Sequence, residues 1–137
     1  MFCIFPDYYF MQSNREKNII VDLSFRFALD IIRYTSILEN NRKFVVARQL
    51  LKSGTSIGEN VREAQNAESK ADFIHKLKIA AKEAEETIYW LELCQNSEGY
   101  QSCHDLLRCC NDIVRILSKI ISSSKKRNCS LSKSVSN

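Results

Sequence analysis

A chain of 137 residues has room for one domain with its own hydrophobic core, so disulfides or a metal are not required to hold it together. With 45% hydrophobic residues, 26% charged residues, three glycines and one proline, it is not composed like a sheet protein with many reversals; long helices joined by short turns are expected. A uniformly basic nucleic-acid binder is also excluded: the net charge of +4 comes entirely from Lys125, Lys126, Arg127 and Lys133, and residues 1–119 are neutral.

The first ten residues, MFCIFPDYYF, carry five aromatics and no basic group, which is unlike a secretory leader. Two readings of these ten residues, the beginning of the 1–17 arm, stay open: translation begins at Met11 and they are not translated, or they form a short apolar arm that docks on a partner. The first helix is expected over about Leu23 to Leu38, capped by Asp22 or Ser24. Phe27, Ala28, Ile31, Ile32, Tyr34, Thr35 and Leu38 recur at three and four on its core face. Glu39 to Arg42 make the first turn.

The second helix runs from about Lys43 to Gln65, with Ala47, Leu50, Leu51, Gly54, Ile57, Gly58, Val61 and Ala64 inward and Arg48, Lys52, Thr55, Glu59 and Arg62 outward. Gly54 and Gly58 each cost about 1 kcal/mol relative to alanine inside a helix, so a packing reason is expected: a neighbouring backbone that approaches closely. The competing reading is a break at Gly54, with Thr55 or Ser56 capping a new helix.

Ser69 is the expected N-cap of the third helix, with Asp72 completing a shortened capping box. This helix runs to about Gln95. Its core face is Phe73, Ile74, Leu77, Ala80, Ala81, Ala84, Ile88 and Leu91, and Ala80, Ala81 and Ala84 make its middle flat enough for close packing. On the other side Ile79, Trp90 and Leu93 form a second apolar stripe, interspersed with Glu83 and Glu86, that a four-helix monomer would expose. The fourth helix is expected from about Ser102 to Ile121, and the serine-rich segment 123–137 reads as a disordered basic tail. Residues 18–122 thus form an all-α, antiparallel up-down-up-down four-helix bundle.

Six cysteines are present without a CxxC pair, and Cys109 and Cys110 point about 100° apart on a helix, which is unsuited to a metal. Reduced thiols in a cytoplasmic protein are expected, with Cys94, Cys103 and Cys110 acting as small hydrophobes; no apolar run is long enough for a membrane span. His75 and His104 have no partner at metal-ligand spacing, and the pairs Glu83/Glu86 and Glu59/Glu63 lie outside the apolar arcs. No catalytic residue, metal, cofactor or small-molecule substrate is assigned, and the expectation is a protein that is not an enzyme.

The run SGTSIGENVREAQNAESKADFIHKLKIAAKEAEETIYWLEL, from Ser53 to Leu93, resembles the bacterial four-helix bundle family found in intervening sequences of the large-subunit ribosomal RNA gene, the S23-type ribosomal proteins. The resemblance extends over about residues 18 to 122; it fails at Leu23, where the family carries lysine, and in the first ten residues. It implies a helical bundle that assembles into rings of five, like the accessory proteins of diversity-generating retroelements, which also bind RNA and a reverse transcriptase. The stripe independently points to self-association, through Ile79, Glu83, Glu86, Trp90 and Leu93, against the Arg48, Lys52 and Arg62 side of the next subunit. The alternative is an RNA-associated accessory protein, in which Arg48, Lys52, Arg62, Lys125, Lys126 and Arg127 touch nucleic acid or serve a nucleic-acid-binding partner.

Overall fold

Four helices account for nearly all of the described chain. The structure, a computed structural model, describes residues 18–135 and the side chains as far as residue 126. The helices are α1 (Ile19–Asn40), α2 (Phe44–Gln65), α3 (Lys70–Asn96) and α4 (His104–Val135). Each packs on the next in sequence and α4 closes back on α1, giving a four-helix bundle with up-down-up-down order. The 1–17 arm lies outside the described residues.

The helix ends follow local chemistry, with two departures from expectation. α1 begins at Ile19, a turn earlier than expected, after an extended Asn18 whose side-chain amide donates to Gln65 Oε1 at 2.8 Å. The extra turn buries Ile20, and it leaves Asp22 in the first turn rather than at the cap, where its charge favours the helix N-terminus. α4 runs on to Val135 through the segment that composition marks as disordered. No glycine or proline interrupts residues 104–135, and the lysines and arginine there are good helix formers that suit a helix C-terminal half.

The turns are tight. Arg42 closes the first with a left-handed φ of 62°, its N–H donating to Glu39 O, while the N–H of Lys43 donates to Leu38 O. Ser69 caps α3, its Oγ accepting from the Asp72 N–H at 3.0 Å; the Asp72 carboxylate in turn accepts from the Glu68 N–H at 3.3 Å, one residue earlier than a capping box would place it. Gly99 takes φ +80° in the third connection, and Tyr34 ties this connection to α1 by donating its O–H to Gln101 O at 2.8 Å.

α2 is continuous through both glycines. Gly54 faces Ile31 and Gly58 faces the backbone of Ser24, so the two glycines mark the flank on which α2 meets α1. Its opposite flank meets α3, where the buried hydroxyls of Ser53 and Thr87 share a hydrogen bond of 3.0 Å. On α3, Ala80 and Ala84 are fully buried and Ala81 is half-buried against the core. α4 and the residue before it settle on α3 through two thiols: Cys103 donates to Leu91 O at 3.2 Å and Cys110 to Ala84 O at 3.4 Å. This register sets Lys70, at the start of α3, about level with Ser124, so the helix after it projects roughly 16 Å past the end of α3 at 1.5 Å per residue.

One core assignment is corrected. Ile32, read as part of the α1 core face, is 47% exposed. It lies about 140° around the helix from buried Phe27, too far for one face to include both when Ile31 and Tyr34 already fill the centre.

Candidate interaction surface

The α2–α3 seam carries the residues singled out on α3. Ser53–Thr87 sets the register at mid-seam, and the Lys76–Glu63 ion pair at 2.8 Å crosses it nearer the other end. On the α3 flank from Lys76 toward the helix C-terminus lie Ile79, Glu83, Glu86 and Trp90. Ile79 and Trp90 are half-buried rather than left to water, and Trp90 packs against the hydrophobic core. Leu93 is 40% exposed and Tyr89 56% exposed. The Tyr89 ring meets Trp90 edge-on, centroids 5.5 Å apart at 67°, and the Trp90 Nε1–H points at Glu86 Oε1 at 3.5 Å. Antiparallel pairing brings the start of α2 near this end, where Val45 is 74% exposed. Tyr89 and Val45 were missed by the sequence reading: Tyr89 lies beside the stripe rather than within it, and Val45 adjoins the stripe only across the seam.

Charge divides this surface in an unexpected way. Burial, followed by Glu86 and with Glu59 contributing, raises the Glu83 carboxyl above the ordinary glutamate range, and only Lys52 opposes the shift. Lys52 therefore belongs with the acidic stripe. Arg62 lies on the other flank of α2, its guanidinium 5.0 Å from the ring centroid of Phe25 on α1, and Arg48 is exposed on the outer side of α2. Of the expected stripe of Arg48, Lys52 and Arg62, Lys52 thus stands toward α3 and Arg62 toward α1, and all three are exposed on α2. Lys125 and Lys126 are exposed on the projecting end of α4, and the Arg127 side chain lies outside those described.

A groove of about 230 Å³ lies on the far side, between α1 and the start of α4, lined by Asp30, Arg33, Tyr34, Ile37, Gln101, Asp105 and Leu106. Its two acids are each paired with an arginine three residues on, Asp30 with Arg33 at 3.4 Å and Asp105 with Arg108 at 3.6 Å. Burial raises the Asp30 carboxyl while Arg33 pulls it back down. Beneath the groove Tyr34 is kept neutral by burial and by the neighbouring Cys94 and Cys103 thiols. Burial likewise pushes the Cys103 and Cys109 thiols up to about 11, and it raises Cys94 and Cys110 as well, which makes all four poor nucleophiles. His75 is exposed, and His104 Nε2 lies 2.9 Å from Gln95 Nε2. Among the described residues no group of three or more His, Cys, Asp or Glu is arranged to hold a metal, and no helix is long and apolar enough to cross a membrane.

Comparison with known proteins places this architecture. The profile of the 23S rRNA-intervening sequence protein family matches residues 16–122. Among solved structures, the chain is similar to a protein of unknown function from the S23 ribosomal protein family of Bacteroides thetaiotaomicron VPI-5482, with 44% identity and a TM-score of 0.71 over 75% of this chain and 98% of that one. No curated protein matches the chain.

Proposed function

We propose that this chain, which belongs to the 23S rRNA-intervening sequence protein family, acts as a non-enzymatic homo-oligomeric interaction protein whose contact surface is the α2–α3 stripe. The observation that carries the reading is the cluster of Tyr89, Trp90 and Leu93 with Val45 at one end of that seam. Large apolar groups gathered on one surface and rimmed by Glu83 and Glu86 are the composition of a protein contact. A ring of five is the number that the family resemblance implies. Light scattering on the eluting wild-type peak and on Trp90→Asp tests the reading: a multiple of 15.9 kDa for wild type and the monomer mass for the variant are expected. A wild-type monomer at tens of micromolar sinks it.

A second reading, RNA association, is favoured by one observation: Lys125 and Lys126 stand exposed on a helix that projects beyond the end of α3. Basic side chains there are placed to reach phosphates without disturbing the bundle, and such contacts weaken steeply with salt. Gel shifts of a structured RNA by the full chain and by a chain ending at Ser124 test it. No shift at low salt, or an equal shift by both, rejects the basic tail as the contact.

A further inference from the structure

We infer that the groove between α1 and α4 is the docking site of residues 2–10 of the same chain, which return along α1 from its first turn and lay their aromatic side chains between the two helices. Those residues lie outside the described ones, so the inference joins their sequence and their tether to the geometry of the groove. It stands independently of the homo-oligomeric reading above.

Of the four seams in the bundle, the one between α1 and α4 is the most open. Its floor is the Tyr34 ring, whose O–H is already spent on Gln101 O, and its walls are half-buried Ile37 and Leu106. Both acids at the rim have an arginine, so no unpartnered polar group calls for a polar ligand. The volume of about 230 Å³ also lies below the roughly 300–1,000 Å³ of pockets that enclose a whole small molecule. What fits is a pair of apolar side chains from a peptide running along the seam.

Residues 2–10 read FCIFPDYYF, with five aromatic rings, Ile4, and Asp7 as the one charged side chain. Pro6 has no N–H to leave unpaired and biases Phe5 toward an extended backbone, which suits a strap laid over helices whose backbone groups are already paired. The rim offers Asp7 a partner in Arg33, whose side chain is 45% exposed against 14% for the Asp30 it pairs with. The tether has the matching length. Tyr34 stands sixteen residues past Asn18, about 24 Å along α1 at 1.5 Å per residue, and the seven residues 11–17 reach about 23–25 Å when extended. The α2–α3 stripe lies around α2, a further helix diameter of about 10 Å, which leaves Phe10 short of it. So short a tether presents the arm to its own groove at an effective concentration on the order of millimolar, which favours this chain over a second copy.

Chymotrypsin, which cuts after Phe and Tyr, tests this on the full chain, with release of arm peptides followed by mass spectrometry and a synthetic peptide of residues 1–17 as the unshielded reference. The docked arm is expected to be cut about tenfold or more slowly than the peptide, at a rate unchanged by dilution because the contact is made within one chain. Ile37→Lys places a charge in the groove and is expected to restore the rate of the peptide, whereas Leu93→Lys on the α2–α3 stripe leaves the protection in place. Circular dichroism confirms folding, and Leu106→Gln replaces Ile37→Lys if that variant unfolds. An arm cut as fast as the peptide overturns the inference, as does protection that survives the folded groove variant. Protection lost with Leu93→Lys overturns it in favour of the stripe, and protection lost on dilution in favour of a second copy.

Discussion

A Cβ built on Gly54 would lie 2.9 Å from both Cγ1 and Cγ2 of Ile31, inside the fully buried contact between α1 and α2. Ile31 is branched and surrounded, so it has no direction in which to yield. At Gly58 the nearest atom to such a Cβ is the Ser24 carbonyl oxygen at 3.4 Å, an ordinary contact. The two glycines, four residues apart on one helix, therefore respond differently to the same change. Gly54→Ala is expected to lose about 1–2 kcal/mol, overpacking outweighing the gain in helix propensity. Gly58→Ala is expected to be neutral or to gain up to about 1 kcal/mol. Urea unfolding of both variants checks this; equal effects would mean that packing at Gly54 relaxes freely.

The Ser53–Thr87 pair is the polar counterpart of that contact on the other flank of α2. Both hydroxyls are buried; without Ser53, Thr87 keeps the Glu83 carbonyl oxygen of its own helix at 2.7 Å, and without Thr87, Ser53 keeps only the Leu50 carbonyl oxygen at 3.4 Å, so removing either one loses the bond between the helices. Ser53→Ala and Thr87→Val are each expected to cost about 1–2 kcal/mol, and the double variant less than their sum by about 1 kcal/mol. Strict additivity in chemical denaturation would show that the two hydroxyls are not coupled.

Glu83 predicts a pH dependence. Burial and the neighbouring acids raise its carboxyl above the ordinary glutamate range, so the folded chain holds this proton more tightly than the unfolded chain does. Its contribution to stability therefore falls as pH rises from the ordinary glutamate range through the raised value. Glu83→Gln should melt higher than wild type at pH 7, and the difference should shrink toward pH 4, measured at concentrations where the chain is monomeric. A difference that grows on acidification would contradict the assignment.

The buried thiols make a chemical prediction. Cys94, Cys103, Cys109 and Cys110 are buried with raised thiols, so the thiolate that reacts with alkylating agents is scarce in the folded chain. Iodoacetamide at pH 8 should label these four at least tenfold more slowly in the native protein than in guanidinium chloride, read peptide by peptide by mass spectrometry. Fast native labelling of Cys103 or Cys109 would show that the start of α4 opens readily.

Spacing along the chain was enough to read four helices, their order, the Ser69 cap and the inward glycines, because each is a property of one helix or one turn. The buried arc of α3 from Ile74 to Leu91 was legible for the same reason. Hydroxyls and thiols were harder to place. Thr87 and Cys109 are as buried as their aliphatic neighbours, yet their residue types say nothing about which partner satisfies them; only the position of Ser53 or of the next helix does.

The remainder was decided between helices. A wheel measures angles within one helix, but the edge between buried and exposed residues is drawn by where the neighbouring helices stand. That is why Trp90 packs against the core although the wheel sets it on the outer side of α3, and why Lys52 joins the acids of α3 while Arg62 turns to Phe25. Sequence by itself determined which residues are apolar and how often they recur. Tertiary packing determined which of them a single chain covers and which it leaves on the surface.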